Sequence, residues 1–243
     1  MDNARNLAPG TPPEEIPQSN WPASPHAPPP SRLNRALPII LQGSSWVVVE
    51  KPSGLLSVPG RAPNQHDCVR LRVQEMFPSL TALTVHRLDW ETSGVIIVAL
   101  SESAHRDLNQ QFERRRISKM YTAIVSGLCP HTSGIIRLPI AKDWPNRPRQ
   151  KVDNAEGKPT ETHYRVIDSG PGWSRIEFMP ITGRTHQIRV HAAHPEGLHA
   201  PILGDALYGD PASAPRLMLH ATSIAFRDPE TGLLVEARSS PPF

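Results

Sequence analysis

The segment VHRLDWETSG (residues 85–94) crowds ionisable side chains between two apolar stretches, ALTV and VIIVAL. His86, Arg87, Asp89 and Glu91 all fall inside it. Asp89 is open to two readings. It can accept hydrogen bonds from the backbone of a turn built on Thr92, Ser93 and Gly94. Alternatively it can be a reacting carboxylate, kept ionised by a neighbouring cation. A hydrolytic use of Asp89 with His86 would require a second, proton-carrying carboxyl group, and Glu91 is the close candidate.

A second constellation is ITGRTHQIRVH (residues 181–191). A Gly-Arg step where a strand turns into a helix can aim a guanidinium into a cleft. A helix N-terminus is a poor place for a cation, so Arg184 is expected to have a carboxylate or phosphate partner, with Arg189 close by. His186, His191, His194 and His199 do not follow the HExxH spacing, and only Glu196 among acids or cysteines lies between them, so no metal site is expected.

The basic stretches are RRRISK (114–119) and KDWPNRPRQK (142–151). In the second, prolines hold the chain extended while Lys142, Arg147, Arg149 and Lys151 project from it. Such cations either make a solvated face or follow a phosphate backbone, with Trp144 able to stack on a base. Neither a Walker nor a GxGxxG pattern occurs, so no nucleotide cofactor is expected.

Positioning these groups takes a sizeable core. The chain has 243 residues, 38% hydrophobic and 20% charged, with a formal net charge of +3. This permits a nucleic-acid partner without demanding one. Two separated cysteines, Cys68 and Cys129, exclude a disulfide framework or a Cys-rich zinc module. No apolar run is long enough for a membrane helix and no signal pattern opens the chain, so a cytoplasmic protein is expected. Nine of the 28 prolines lie in residues 1–30. Residues 1–36 are therefore read as a disordered arm, and the ordered unit as 37–243.

WVVVE (46–50), VIIVALS (95–101), YTAIVSG (121–127), IIRLPI (135–140), THYRVID (162–168) and RIEFMPI (175–181) read as strands. Asp67 is expected to cap a helix carrying Val69, Val73, Met76 and Phe77. A second helix has Ala104, Leu108 and Phe112 at four-residue spacing and ends in Arg114, Arg115 and Arg116. A third follows Gly183 through THQIRVHAA. Many strands, two or three helices and no repeating βαβ unit indicate an α+β fold with a mixed, mostly antiparallel sheet.

Six segments together resemble the RluA-type pseudouridine synthases: KPSGLLSVPG (51–60), HRLDWETSGVIIVAL (86–100), KMYTAIVSG (119–127), DWPNRPRQKV (143–152), PITGRTHQIRVH (180–191) and PILGDALYG (201–209). They stand in the family's order and span nearly all of the ordered chain. The resemblance implies the pseudouridine synthase fold and an isomerase that needs no cofactor and acts on RNA. DWPNRPRQKV is similar to the subgroup acting on large-subunit ribosomal RNA and tRNA. The small RNA-binding domain that precedes many relatives is not expected here.

By the resemblance, Asp89 is the catalytic aspartate, Tyr121 stacks on the target base and Arg184 pairs with Asp89. Arg87 fills the space left by the flipped base. Leu203 belongs to the apolar wall beside that base, and His86, Arg147, Arg149, Lys151 and Arg189 contact RNA. A monomer is expected. A silent RNA-binding protein on the same fold is the competing class. One departure concerns 197–201, Gly-Leu-His-Ala-Pro, where relatives usually read Gly-His-Pro.

Overall fold

A computed structural model of the chain describes residues 36–62 and 65–243. The proline-rich arm expected over residues 1–36 lies, except for Ala36, outside the described residues. Twelve strands and three α-helices follow in chain order: β1 (Ile39–Gln42), β2 (Trp46–Lys51), α1 (Val69–Met76), β3 (Leu83–Thr84), β4 (Ser93–Ala99), α2 (Glu102–Glu113), β5 (Ser118–Ser126), β6 (Ser133–Ile136), β7 (Ile140–Lys142), β8 (Gln150–Val152), β9 (Thr162–Gly170), β10 (Trp173–Pro180), α3 (Gln187–Ala193), β11 (Leu219–Arg227) and β12 (Leu234–Arg238). The large sheet runs β1-β2-β4-β11-β5-β10-β9-β6, with β12 beside β11 and β3 beside β4; β7 and β8 form a separate hairpin. Only β4 and β11 run parallel, so the sheet is mixed and mostly antiparallel, as expected.

The sequence explains which strands lie deepest. WVVVEK and SGVIIVA are apolar without alternation, the pattern of strands covered on both faces. In β4 every residue is buried. WSRIEFMP alternates half-buried and buried positions along β10, as a strand with one covered face does. α2 starts where the Ser101 hydroxyl accepts from the Ala104 N–H at 3.2 Å, a capping bond.

The apolar side chains gather in two clusters. One includes Val48, Ile96, Leu108 and Phe226 on β2, β4, α2 and β11. The other includes Val125, Phe178, Ile188 and Leu219 on β5, β10, α3 and β11. Tyr121 packs against both. They meet where β4 lies beside β11, and Gly94 makes this contact possible. Its φ is +113°, and a Cβ there would stand 2.2 Å from the carbonyl oxygen of Ala221. Polar side chains stitch the same seam: Ser93 Oγ lies 2.8 Å from His220 Nδ1, and the hydroxyls of Thr122 and Thr222 are 2.7 Å apart.

Three local expectations are corrected, and one segment left open is defined. Asp67 does not cap α1, which starts from Cys68; its carboxylate instead makes a two-pronged pair with Arg72 at 2.7 and 2.6 Å. IIRLPI is not one strand, because Pro139 has no N–H for a ladder and separates β6 from β7. Arg114 to Arg116 lie past the last residue of α2, with Arg115 at φ 55°. The segment 193–200 folds back on α3: the N–H groups of Leu198 and Ala200 bond to the carbonyls of His191 and Ala192, at 3.0 and 2.8 Å.

Candidate active site

A cleft of about 1280 Å³ opens between the loop before β4, strand β5 and the segment entering α3. It is larger than the ~300–1,000 Å³ of ordinary small-molecule pockets. Asp89 lines it, on a loop braced from behind by residues 51–57. The Lys51 ammonium donates to the carbonyls of Pro52, Leu55 and Trp90 at 3.0, 2.6 and 2.9 Å. Ser57 Oγ donates to the Leu88 carbonyl and accepts from its N–H. Ser53 donates to the Glu91 carbonyl at 2.7 Å. The carbonyls of residues 88, 90 and 91 are thus all held, and Asp89 projects from a fixed backbone. Burial lowers the Lys51 pKa to about 7, against the raising pull of Asp89.

Asp89 Oδ2 stands 3.6 Å from Arg189 Nη1 and 3.9 Å from His186 Nε2. Oδ1 makes no hydrogen bond or ion pair among the described residues. Arg189 is gripped through Nε and Nη2 by the fully buried Asp205, at 2.8 and 2.6 Å. Its Nη2 is also 3.7 Å from Glu91. One cation therefore serves three carboxylates. Burial opposes its charge, but the hydrogen bonds and charge of Asp205, with Asp89 and Glu91, hold its pKa above the usual value.

This corrects the expected partner of Asp89. Arg184 lies in the turn before α3, exposed on the cleft rim, and its guanidinium makes no ion pair among the described residues. α3 begins at Gln187 after His186 adopts φ 55°. Arg189 is consequently on the buried face of the helix and Arg184 is not. Gln187 fixes the turn by accepting from the Arg184 N–H and the Thr182 hydroxyl, at 3.0 and 2.8 Å.

Tyr121 and Lys119 are two apart on β5 and so face the same side; both line the cleft. Burial and then the charge of Asp89 push the Tyr121 pKa upward, so the phenol stays neutral. Burial takes the Lys119 amine down to about 8. Its hydrogen-bond partner is the Thr182 carbonyl at 3.5 Å. Arg87 is exposed and lines the cleft.

His86 lines the cleft and also packs inward. Its ring stacks on Phe112 at 4.9 Å and its Nε2 accepts from the Ile97 N–H. Burial, then Lys119, lowers its pKa to about 3. It is a neutral packing group, unsuited to the hydrolytic pairing with Asp89. Leu203 does not line the cleft. Its backbone joins Ile124 and Met218, and Leu219 forms the apolar wall there.

Arg147 and Arg149 are exposed on the β7–β8 hairpin, whose Pro148 reaches the cleft. Arg147 lies 4.6 Å from the centre of the Trp144 ring and Arg149 5.4 Å from that of Tyr208. Lys151 is paired with Asp153 at 2.9 Å. His186, Asp205 and Tyr208 surround Arg189, and sequence reasoning assigned none of them to the site. The available signal was Arg189 itself: a cation inside the apolar helix IRVHAA must be buried with a carboxylate.

A carboxylate beside a clamped guanidinium, in a cleft also lined by Arg87, Arg115, Lys119 and Arg184, suits chemistry on the sugar of a polyanion. The chain belongs to the RNA pseudouridylate synthase family, whose model matches residues 45–194; it is an isomerase that acts on RNA. Among characterised relatives, it is 49% identical to the dual-specificity RNA pseudouridine synthase RluA of Yersinia pestis, over 80% of this chain and 94% of that protein. Identity to RluA of Escherichia coli K12 is 46%, over 81% of this chain and 89% of the relative. Human RNA pseudouridylate synthase domain containing 1 superposes with a TM-score of 0.70 at 26% identity, over 88% of this chain and 87% of that one.

Proposed function

We propose that the chain converts uridines in stem-loops of both ribosomal RNA and tRNA to pseudouridine, with Asp89 as the reacting carboxylate. The observation that carries this is the posture of Asp89: it lines the cleft, with Oδ2 facing Arg189 at 3.6 Å and Oδ1 making no hydrogen bond or ion pair among the described residues. In the reaction the N1–C1′ bond of the target nucleotide breaks, the uracil turns, and a C5–C1′ bond forms. The C5 proton leaves and N1 gains one, so composition is unchanged. Asp89 starts this by bonding to C1′ or by removing a ribose proton; either route uses the same ionised, oriented carboxylate.

Arg189 aims that carboxylate, and Asp205 keeps Arg189 in place. The Tyr121 ring is the platform for the base, and its neutral hydroxyl passes the C5 proton onward. Arg87 takes the vacated place in the RNA stem, while Arg147 and Arg149 follow its phosphates. The choice of both RNAs rests on the dual-specificity relatives and on DWPNRPRQKV. A cytoplasmic monomer, with residues 37–243 as the catalytic unit, completes the proposal.

The test is incubation with a ribosomal RNA fragment and a tRNA stem-loop. A pseudouridine-specific chemical adduct on both, with RNA mass unchanged before derivatisation, is expected. Adduct on one RNA alone overturns the dual specificity. Binding without adduct on either overturns the reading of Asp89.

A further inference from the structure

Two polar side chains lie behind the catalytic pair, and the chemistry just described does not use them. Tyr208 Oη accepts the Gln150 N–H of the basic hairpin at 2.7 Å and lies 2.8 Å from His186 Nδ1. Gln150 N–H is only a donor, so the phenolic proton is free to go to Nδ1. That assignment leaves the imidazole proton on Nε2, the nitrogen that faces Asp89 Oδ2 at 3.9 Å. The Tyr208 ring lies between two guanidiniums, Arg189 of the site and Arg149 of the hairpin, each 5.4 Å from its centre.

We propose that Tyr208 and His186 are positioning residues that orient the anchored oxygen of Asp89 and tie that orientation to the seating of the β7–β8 hairpin on RNA. This rests on the reading of Asp89 as the reacting carboxylate. Arg189 and His186 Nε2–H approach the same oxygen, Oδ2, so Oδ1 is the one left to react. Hairpin displacement would withdraw the Gln150 N–H, loosen the Tyr208 hydroxyl and release the imidazole from its tautomer. Burial, and after it Arg189, lowers the His186 pKa against the pull of Asp89 and Asp205, consistent with a neutral donor.

The αL backbone of His186 allows a discriminating pair of substitutions, because asparagine tolerates φ near 55°. His186→Asn sets its amide where Nδ1 was, keeping a partner for Tyr208 and removing the donor toward Asp89. His186→Gln reaches further and puts an N–H near the former Nε2. Single-turnover rates and RNA Kd are measured for both, for Tyr208→Phe, and for Asp89→Asn as control. The expected result is at least a ~10-fold slower rate for His186→Asn and Tyr208→Phe with Kd within twofold, and a partial return of rate in His186→Gln. Equal losses in Asn and Gln that track thermal stability would overturn the proposal, as would a wild-type rate in His186→Asn. An active Asp89→Asn protein, with deamidation excluded by mass spectrometry, would instead sink the reading of Asp89.

Discussion

At the scale of single residues, the two arginines of GRTHQIR divide the work, and substitution should separate them. Arg189→Lys keeps a charge but cannot hold Asp205 through two nitrogens while facing Asp89. A rate loss of about 100-fold or more is expected with RNA binding retained, read by single-turnover assay. Arg184→Lys on the exposed rim should leave the rate near wild type and alter only RNA affinity. Tyr121→Phe keeps the ring and loses the hydroxyl. Since proton transfer by a placed group contributes ~10²–10⁴-fold, product should fall by about 100-fold while binding stays within twofold. Asp89, Tyr121 and Arg87 were picked out by the resemblance, since residue types alone left Asp89 open to two readings, and all three line the cleft. The sequence did not separate Arg184 from Arg189, because the discriminating fact is where α3 begins. Nor did it show His86 turned onto the Ile97 N–H, a contact from the loop after β3 to β4.

At the scale of elements, the strands with unbroken apolar runs were readable and β11 was not. LHATSIAFR mixes His220, Thr222 and Ser223 into a central strand, and their polar partners include Ser93, Thr122 and Ser239, far away in sequence. The brace behind Asp89 was likewise hidden, since KPSG reads only as a turn. Lys51→Met should take a donor from three carbonyls, of which that of Trp90 keeps the Gly54 N–H, and lower stability by roughly 2 kcal/mol. A pH test has a definite sign. The folded pKa of Lys51, about 7, lies below the ordinary lysine value of 10.5, so between those values the unfolded chain binds more protons. The stability of wild type relative to Lys51→Met should therefore rise with pH between about 7 and 10, as urea melts at the two ends would register. The β7–β8 hairpin carries a different expectation. Neutralising Arg147 and Arg149 together should reduce the salt slope of RNA binding by about two at most, with little change in turnover at saturating RNA. Lys151, already paired with Asp153, should contribute less.

At the scale of the whole molecule, two histidines held neutral inside it set the acid limit. Burial brings His86 to about 3 and, as its first cause, His191 to about 4. Both lie below the unfolded value near 6.5. Protons then bind the unfolded chain first as pH falls, and stability should drop by up to ~3 kcal/mol per unit between about pH 6 and 4. His86→Gln, which keeps an acceptor for Ile97, should shrink that fall in urea titrations. A chain beginning at Leu37 retains every described residue that lines the cleft, so it should keep full turnover on RNA. The seam at Gly94 has a consequence for anyone transplanting this chemistry. Leu88, beside Asp89, is rooted in one apolar cluster and Ile188, beside Arg189, in the other. The spacing between the two reacting partners is therefore inherited from how two cores abut, with no single loop encoding it. Grafting HRLDWETSG onto a foreign scaffold would carry over the letters of the site without its ruler.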